Sequence, residues 1–403
     1  MPADGLAEVA AFDAAGLSAG LGEIARPGAD ASAVARAADM LGTARRPQLV
    51  FGGGVVRAGA SGMAVALAEK LGAPGLVSQM GLGVVRSDHR LLVGQRGVIG
   101  GPQVRFALEQ ADVVLAVGCR LSSWFRGANG LGLREEAKLI QVDIDPTMIG
   151  RAAPVCVGIH ADAGQALAAL LAAVSGPGAS DIGETAGLWA ARQVHLTHLV
   201  EGEAKGGLHP GGLAKALGEA LPEDALVVLD GGHTSFWHND LVPARGPCRV
   251  FHDPGQAQLG FGLPFALALK RARPGVPVVL TTGDGSFGFT IAELDTARRQ
   301  GLAVVVVVHN NASWGVIAAG QARAGFVLGT GLEGTDYAAI ARGFGCLGTM
   351  VETLEQFRAA LAEALAAGET TVLDCRTAWV PHPMLPVFGR TTSAPVGDGA
   401  LPW

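Results

Sequence analysis

Val278-Val279-Leu280-Thr281-Thr282-Gly283-Asp284-Gly285-Ser286 and, further on, the valine run 304–308 followed by His309-Asn310-Asn311 are the segments from which the fold can be read. Each is an apolar, β-branched run that ends in small or polar residues, as expected of a strand buried on both faces. The residues between them, 287–299, read as a helix. A helix of about 13 residues runs back about 20 Å at 1.5 Å per residue. A strand of about six residues then returns the same about 20 Å at 3.3 Å per residue. A right-handed crossover of this kind sets consecutive parallel strands close in one sheet. Asp284 and Asn311 are therefore expected at the same sheet edge, where open α/β folds bind ligands.

The alternation extends along most of the chain. Strands are predicted at 48–51, near 75–77, at 113–117 and at 139–144, with helices over 33–41, 61–71, 102–110 and 163–174. Ser175-Gly176-Pro177-Gly178-Ala179-Ser180 has linker composition, and 188–202 reads as a polar connecting helix. A second series follows: helix 212–220, strand 226–229, helix 262–271, strand 278–281, helix 287–299, strand 304–309, helices 337–344 and 354–367, and strand 371–375. The expected fold class is α/β, with two doubly wound parallel-sheet (Rossmann-like) domains. The expected layout is an arm 1–30, a first domain 31–175, a linker and connecting helix 176–208, a second domain 209–385 and a tail 386–403.

Composition narrows the class. At 403 residues the chain suits two domains better than one. Hydrophobic residues make up 49% and charged ones only 16%, yet no apolar run reaches bilayer length, so no membrane span is expected. The surplus apolar surface suggests a subunit interface. The first twenty residues lack a basic start and carry Asp4, Glu8 and Asp13, unlike a secretory signal. A net charge of −6 argues against a nucleic-acid partner. Cys119, Cys156, Cys248, Cys346 and Cys375 are scattered without zinc spacing, which reads as free thiols in a reducing cytoplasm.

The Asp284–Asn311 pair has a definite chemistry. A carboxylate and a neutral amide oxygen are hard ligands for Mg²⁺ and leave room for phosphate oxygens around the ion. Gly285 allows close backbone approach to a phosphate, and Ser286 with the following helix start offers donors. Either half alone composes an ordinary strand-to-helix turn with an Asp cap, or a plain Asn-Asn loop; the matched spacing favours the metal–phosphate reading.

Gly283-Asp284-Gly285, 24 intervening residues and Asn310-Asn311 together resemble the cofactor motif of thiamine-diphosphate (ThDP) enzymes. The surrounding GDGSFGFTIAELDTARRQ and VVVVVHNNASWG are similar to the acetolactate synthase, oxalyl-CoA decarboxylase and 2-hydroxyacyl-CoA lyase group. RPQLVFGGGV, ADVVLAVGCRLSSW and LIQVDIDP resemble that family's middle domain, and VVLDGGHTSFW onward its diphosphate domain. The resemblance implies Mg²⁺ ligation by Asp284, Asn311 and the Ser313 carbonyl. It implies diphosphate contacts from Gly232, His233, Thr234, Gly283, Gly285, Ser286 and the Ala312 amide. His233 departs from the Asn or Gln more usual there; the alternative is a solvated turn histidine. In Gln256–Gly262 the resemblance makes Leu259 the wedge that bends the cofactor and the Ala257 carbonyl the acceptor for its exocyclic amine; read alone, Leu259 is a core leucine.

The same resemblance leaves a domain unaccounted for, the pyrimidine-binding one that supplies an activating glutamate. Glu8 and Glu23 lie in no comparable context. Two explanations compete, a natural split and a truncated chain; the expectation is the split, with a separate pyrimidine-binding subunit, a hetero-oligomer containing a dimer of this chain and a small 2-oxoacid substrate. The expected activity is acetolactate synthase-like, with 2-oxoacid decarboxylation and acyl transfer to an acceptor. Simple decarboxylation, 2-hydroxyacyl-CoA or acyloin cleavage, and a non-catalytic scaffold or regulatory role are the alternatives. Trp314 either walls the pocket or packs under the loop; His252 and His209 either shuttle protons or are structural. Gly52–Gly54, Arg120, Asp143 and Asp145 fall where relatives contact FAD or ADP, so a nucleotide in the middle domain is a further possibility.

Overall fold

The computed structural model describes residues 25–97, 100–126, 130–176, 182–201, 204–253 and 255–383. Most of the expected arm, and the whole expected tail 386–403, lie outside the described residues.

Two sheets of six parallel strands form the molecule, with helices on both faces of each, as the alternating pattern predicts. The first comprises β1 (Pro47–Phe51), β2 (Gly75–Ser78), β3 (Leu92–Arg96), β4 (Val113–Val117), β5 (Lys138–Asp143) and β6 (Val157–His160), in the order β3-β2-β1-β4-β5-β6. On one face Leu49 and Phe51 pack with helices Ala31–Thr43, Ser61–Leu71 and Ala163–Ala173; on the other Val50 packs with Pro102–Gln110. The helix starts are set by their caps: Asp30 accepts from Ala33 N, and Asp162 from Gly164 N and Gln165 N.

The second sheet holds β7 (Leu226–Leu229), β8 (Val250–His252), β9 (Val278–Gly283), β10 (Val305–Asn310), β11 (Leu347–Val351) and β12 (Thr371–Arg376), ordered β11-β12-β10-β9-β7-β8. Val305 and Val307 face helices Pro210–Ala220 and Leu354–Ala366, while Val306 and Val308 face Gly262–Ala272, Glu293–Arg299 and Tyr337–Gly343. The chain lays β8 on one side of β7 and β9 on the other. Strand order reverses at that point, and the crevice outside the carboxyl ends of β7 and β9 is where such sheets take ligands.

Several elements differ from expectation. The predicted helix 287–299 is two pieces, Asp284–Gly288 and Glu293–Arg299. The break falls where the Thr290 hydroxyl donates to the Gly260 carbonyl (2.8 Å), so a neighbouring loop interrupts the turn. The edge strands β8 and β11, the outer strands β3 and β6, and the helix His233–Leu241 were not expected.

The two halves meet along a polar seam. Ser87 N donates to the Ala244 carbonyl (3.0 Å), Ala244 N to Ser87 Oγ (2.8 Å), and Arg192, on the connecting helix Ile182–His198, to the Ser87 carbonyl (3.0 Å). This seam carries Gln79 and Trp124 of the first domain to the rim of the cavity described below.

Phe357 is fully buried on the helix Leu354–Ala366, whose start is held by a Thr353/Gln356 capping box. Phe357→Ala is expected to lower unfolding stability by about 3–5 kcal/mol in urea titration.

Candidate cofactor site

A cavity of about 310 Å³ opens at the carboxyl ends of β7, β9 and β10. Three chain segments converge on it, and each carries residues singled out from the sequence.

The first is the β9 tip. Asp284 is 3% exposed, its Oδ1 accepting from Gly285 N (2.8 Å) and its Oδ2 from Ser313 N (3.3 Å). Asn311 Oδ1 accepts from the same Ser313 N at 3.0 Å. Asp284 and Asn311 therefore meet through one amide, on the adjacent tips of β9 and β10, whose register pairs Gly283 with His309. Burial pushes the Asp284 carboxyl up to about 6, with the surrounding backbone N–H groups offsetting only part of that. A desolvated carboxylate beside an amide oxygen and loop carbonyls is an oxygen donor set suited to a hard divalent cation. Among the described residues there is no group of three or more His, Cys, Asp or Glu placed to hold a metal. The Tyr337 hydroxyl, which the sequence did not mark, donates to the Asp284 carbonyl (2.9 Å) and steadies the turn from below.

The second segment is the β7 tip, Asp230-Gly231-Gly232, leading into helix His233–Leu241. Asp230 is 1% exposed and ties the site together: it accepts from the Ser286 hydroxyl (2.8 Å), from Gly231 N (2.6 Å), from Gly260 N (3.2 Å) and from Gly262 N (3.2 Å). Burial raises its pKa, and these donors work against that rise. The Ser286 O–H is thereby committed to Asp230, which leaves the backbone N–H of Ser286 as its donor towards the cavity. Gly232 and Thr234 line the cavity, and the first N–H groups of a helix lack intrahelical partners. His233 is not the solvated turn residue of the alternative reading. It is the first residue of a nine-residue helix, 8% exposed, and burial holds its ring neutral with a pKa of about 3.

The third segment is the loop 256–262. Leu259 is partly exposed on the cavity wall and is not among the buried residues described, unlike a core leucine. Ala257 and Ala312 both adopt positive φ, +52° and +54°, although neither is glycine. Left-handed backbone at non-glycine residues is strained and concentrates at functional sites. Both positions had been marked from the sequence.

Trp314 serves both of its expected roles: its indole lines the cavity and packs on Gly285, where a Cβ would come within 2.6 Å of the ring. His252 lines the cavity with burial pulling its pKa down to about 4, whereas His209 caps helix Pro210–Ala220 through Nδ1 and is not among the lining residues. In the first domain the Gly52–Gly54 cluster has a packing reason, since a Cβ at Gly52 or Gly54 would collide with the Gly118 backbone. Asp145 caps the turn at Thr147, and Asp143 accepts from Asp145 N.

A strand-order reversal, a buried Asp284 meeting a half-buried Asn311 on adjacent tips and strained loops around one cavity suit a phosphorylated cofactor at the sheet edge. Comparison with known families agrees. Residues 34–170 match the thiamine pyrophosphate enzyme central domain, and residues 230–375 match the C-terminal TPP binding domain of the same family. The chain belongs to the thiamine pyrophosphate enzyme family. It is 34% identical over 385 residues to a sulfoacetaldehyde acetyltransferase of Rhodobacter capsulatus, covering 87% of this chain and 64% of that protein. It is 29% identical to a probable acetolactate synthase large subunit of Methanocaldococcus jannaschii, covering 89% of this chain and 62% of that one. The chain thus spans less than two thirds of the length of these relatives. Among solved structures, a putative thiamin diphosphate-dependent enzyme from Mycobacterium smegmatis superposes with a TM-score of 0.72 at 28% identity, covering 89% of this chain and 67% of that one.

The raised Asp284 pKa has a signed consequence. A carboxyl whose folded pKa exceeds its unfolded one destabilises the fold as pH rises from about 3.8 through about 6. Asp284→Asn is therefore expected to raise the melting temperature of the ligand-free chain at pH 7 while abolishing Mg²⁺-dependent ThDP binding. In the unsubstituted chain, affinity for Mg²⁺ with ThDP should fall about tenfold per pH unit below about 6, as protons compete for the carboxylate. Isothermal calorimetry and thermal melts check both.

Proposed function

We propose that this chain is the cofactor-anchoring component of a ThDP-dependent enzyme that decarboxylates a 2-oxoacid and transfers the acyl unit to an acceptor. The observation that carries the reading is the meeting of Asp284 and Asn311 on one Ser313 amide at the cavity floor.

Bound ThDP would supply a carbon nucleophile for carbonyl chemistry, which no protein side chain offers. Asp284, the Asn311 amide oxygen and the Ser313 carbonyl would hold Mg²⁺ and through it the diphosphate. Gly232, Thr234, Gly285 and the backbone N–H groups of Ser286 and Ala312 would complete the anion contacts. Leu259 and the Ala257 carbonyl would hold the ring portion, and Trp314 and Phe261 would keep water from the reacting carbons. The acetyltransferase name of one relative favours acyl transfer over simple decarboxylation or over 2-hydroxyacyl-CoA or acyloin cleavage. The activating glutamate would come from a separate pyrimidine-binding subunit seated over the cavity mouth, in a hetero-oligomer.

The test is 2-oxoacid consumption by the purified chain, alone and mixed with the product of a neighbouring gene encoding a pyrimidine-binding domain. Turnover is expected only from the mixture. Appreciable turnover by the lone chain refutes the two-chain arrangement, and lack of ThDP binding by the chain refutes the cofactor assignment.

A further inference from the structure

His233 stands where the sequence suggests a diphosphate ligand, yet its imidazole is engaged elsewhere. Nε2 accepts two hydrogen bonds, from Trp237 Nε1 (3.3 Å) and from the backbone N of His382 (3.0 Å). A ring nitrogen that accepts twice carries no proton, so the neutral ring has its hydrogen on Nδ1. The Val380 backbone hydrogen-bonds the ring as well.

His382 belongs to the segment that leaves β12. Thr377 N donates to the Asn310 carbonyl (3.0 Å), immediately before the candidate ligand Asn311, and Ala378 N donates to the Leu208 carbonyl (2.9 Å). The Trp379 indole donates to the Gly315 carbonyl (3.4 Å), just past the Asn311–Ser313 turn. His382 itself is fully buried, stacked edge-on against Trp237 (centroids 4.7 Å apart), with its Nε2 3.5 Å from the Asp240 carboxylate. Burial alone would raise the Asp240 pKa, but His195 and His382 outweigh it and hold the group ionised, with a pKa of about 2. Residues 377–382 therefore run from one jaw of the cofactor site, the β10 tip, to the other, the start of helix His233–Leu241, and are pinned at both ends.

We propose that His233 is a positioning residue: its imidazole anchors the 377–382 strap, and the strap sets the spacing between the Asn311 turn and the Gly232–Thr234 helix start. The inference rests on the ThDP reading, because that spacing matters only if one ligand bridges both jaws. A direct phosphate contact through the imidazole would need the ring to give up bonds it already makes.

Calorimetry of Mg²⁺ with ThDP, paired with amide hydrogen exchange of the strap in the ligand-free chain, tests this. In His233→Ala the exchange protection of the His382 amide is expected to fall at least about tenfold, with ThDP affinity about tenfold weaker as the bond network is lost. His233→Gln, whose side-chain oxygen can accept from the same donors, is expected to recover both. His382→Ala loosens the strap from its other side and is expected to weaken ThDP in the same direction, which keeps the test open if His233→Ala fails to fold. Weaker ThDP binding with the strap still protected would make His233 a direct ligand and overturn the proposal, as would unchanged affinity after the strap has been released. If the unsubstituted chain binds no ThDP, the cofactor reading fails; the exchange result then still reports whether His233 holds the strap.

Discussion

The Asp284 carboxylate is buried at the end of β9, where the backbone N–H groups of Gly285 and Ser313 donate to its oxygens. Much of the surrounding architecture serves to put it there. The crossover from β9 to β10 returns Asn311 beside it, Tyr337 bonds its carbonyl, and Gly285 lets the Trp314 ring approach its turn closely. Desolvating an anion without a matching cation is unfavourable, and the upward pKa displacement expresses that. A divalent cation would relieve it. The site is thus held in a form that a ligand completes, which is how preorganised binding sites keep their reorganisation small.

A second buried carboxylate, Asp230, works differently. Its oxygens are saturated by Ser286, Gly231, Gly260 and Gly262, so it fixes the distance between the β7 tip, the β9 turn and the 256–262 loop. The two acids sit at the ends of neighbouring strands in different surroundings, one bonded by a hydroxyl and backbone groups of three segments, the other by backbone N–H groups of its own turn and the neighbouring strand tip. The 377–382 strap adds a third constraint from outside the sheet, and the seam through Ser87 brings Gln79 and Trp124 in from the first domain. The cavity is shaped by both halves of the chain.

The central strands were legible because β-branched runs such as 304–308 fit only a doubly covered sheet, and the matched distances between Asp284 and Asn311 follow from helix and strand rise alone. The edge strands were not: Leu92-Val93-Gly94-Gln95-Arg96 contains a glycine and polar residues, and β8 is three residues long. Helix His233–Leu241 is rich in weak helix formers and is stabilised by burial of Phe236 and Trp237, which no local pattern announces. The engagement of the His233 ring depends on His382, 149 residues away, and so could not be seen from the Asp-Gly-Gly-His-Thr stretch. Asp230 read as part of a turn for the same reason: its partners come from two other segments. The positive-φ alanines were reachable only through resemblance, since alanine gives no sign of left-handed backbone.

The most direct test of the central claim replaces Mg²⁺ by Mn²⁺ in the presence of ThDP and records the electron–nuclear double resonance of the bound ion. Ligation by Asp284, Asn311 and the Ser313 carbonyl together with the diphosphate should give phosphorus-31 couplings and no directly bound nitrogen. A spectrum without phosphorus coupling, or with the nitrogen coupling of a histidine ligand, would contradict it.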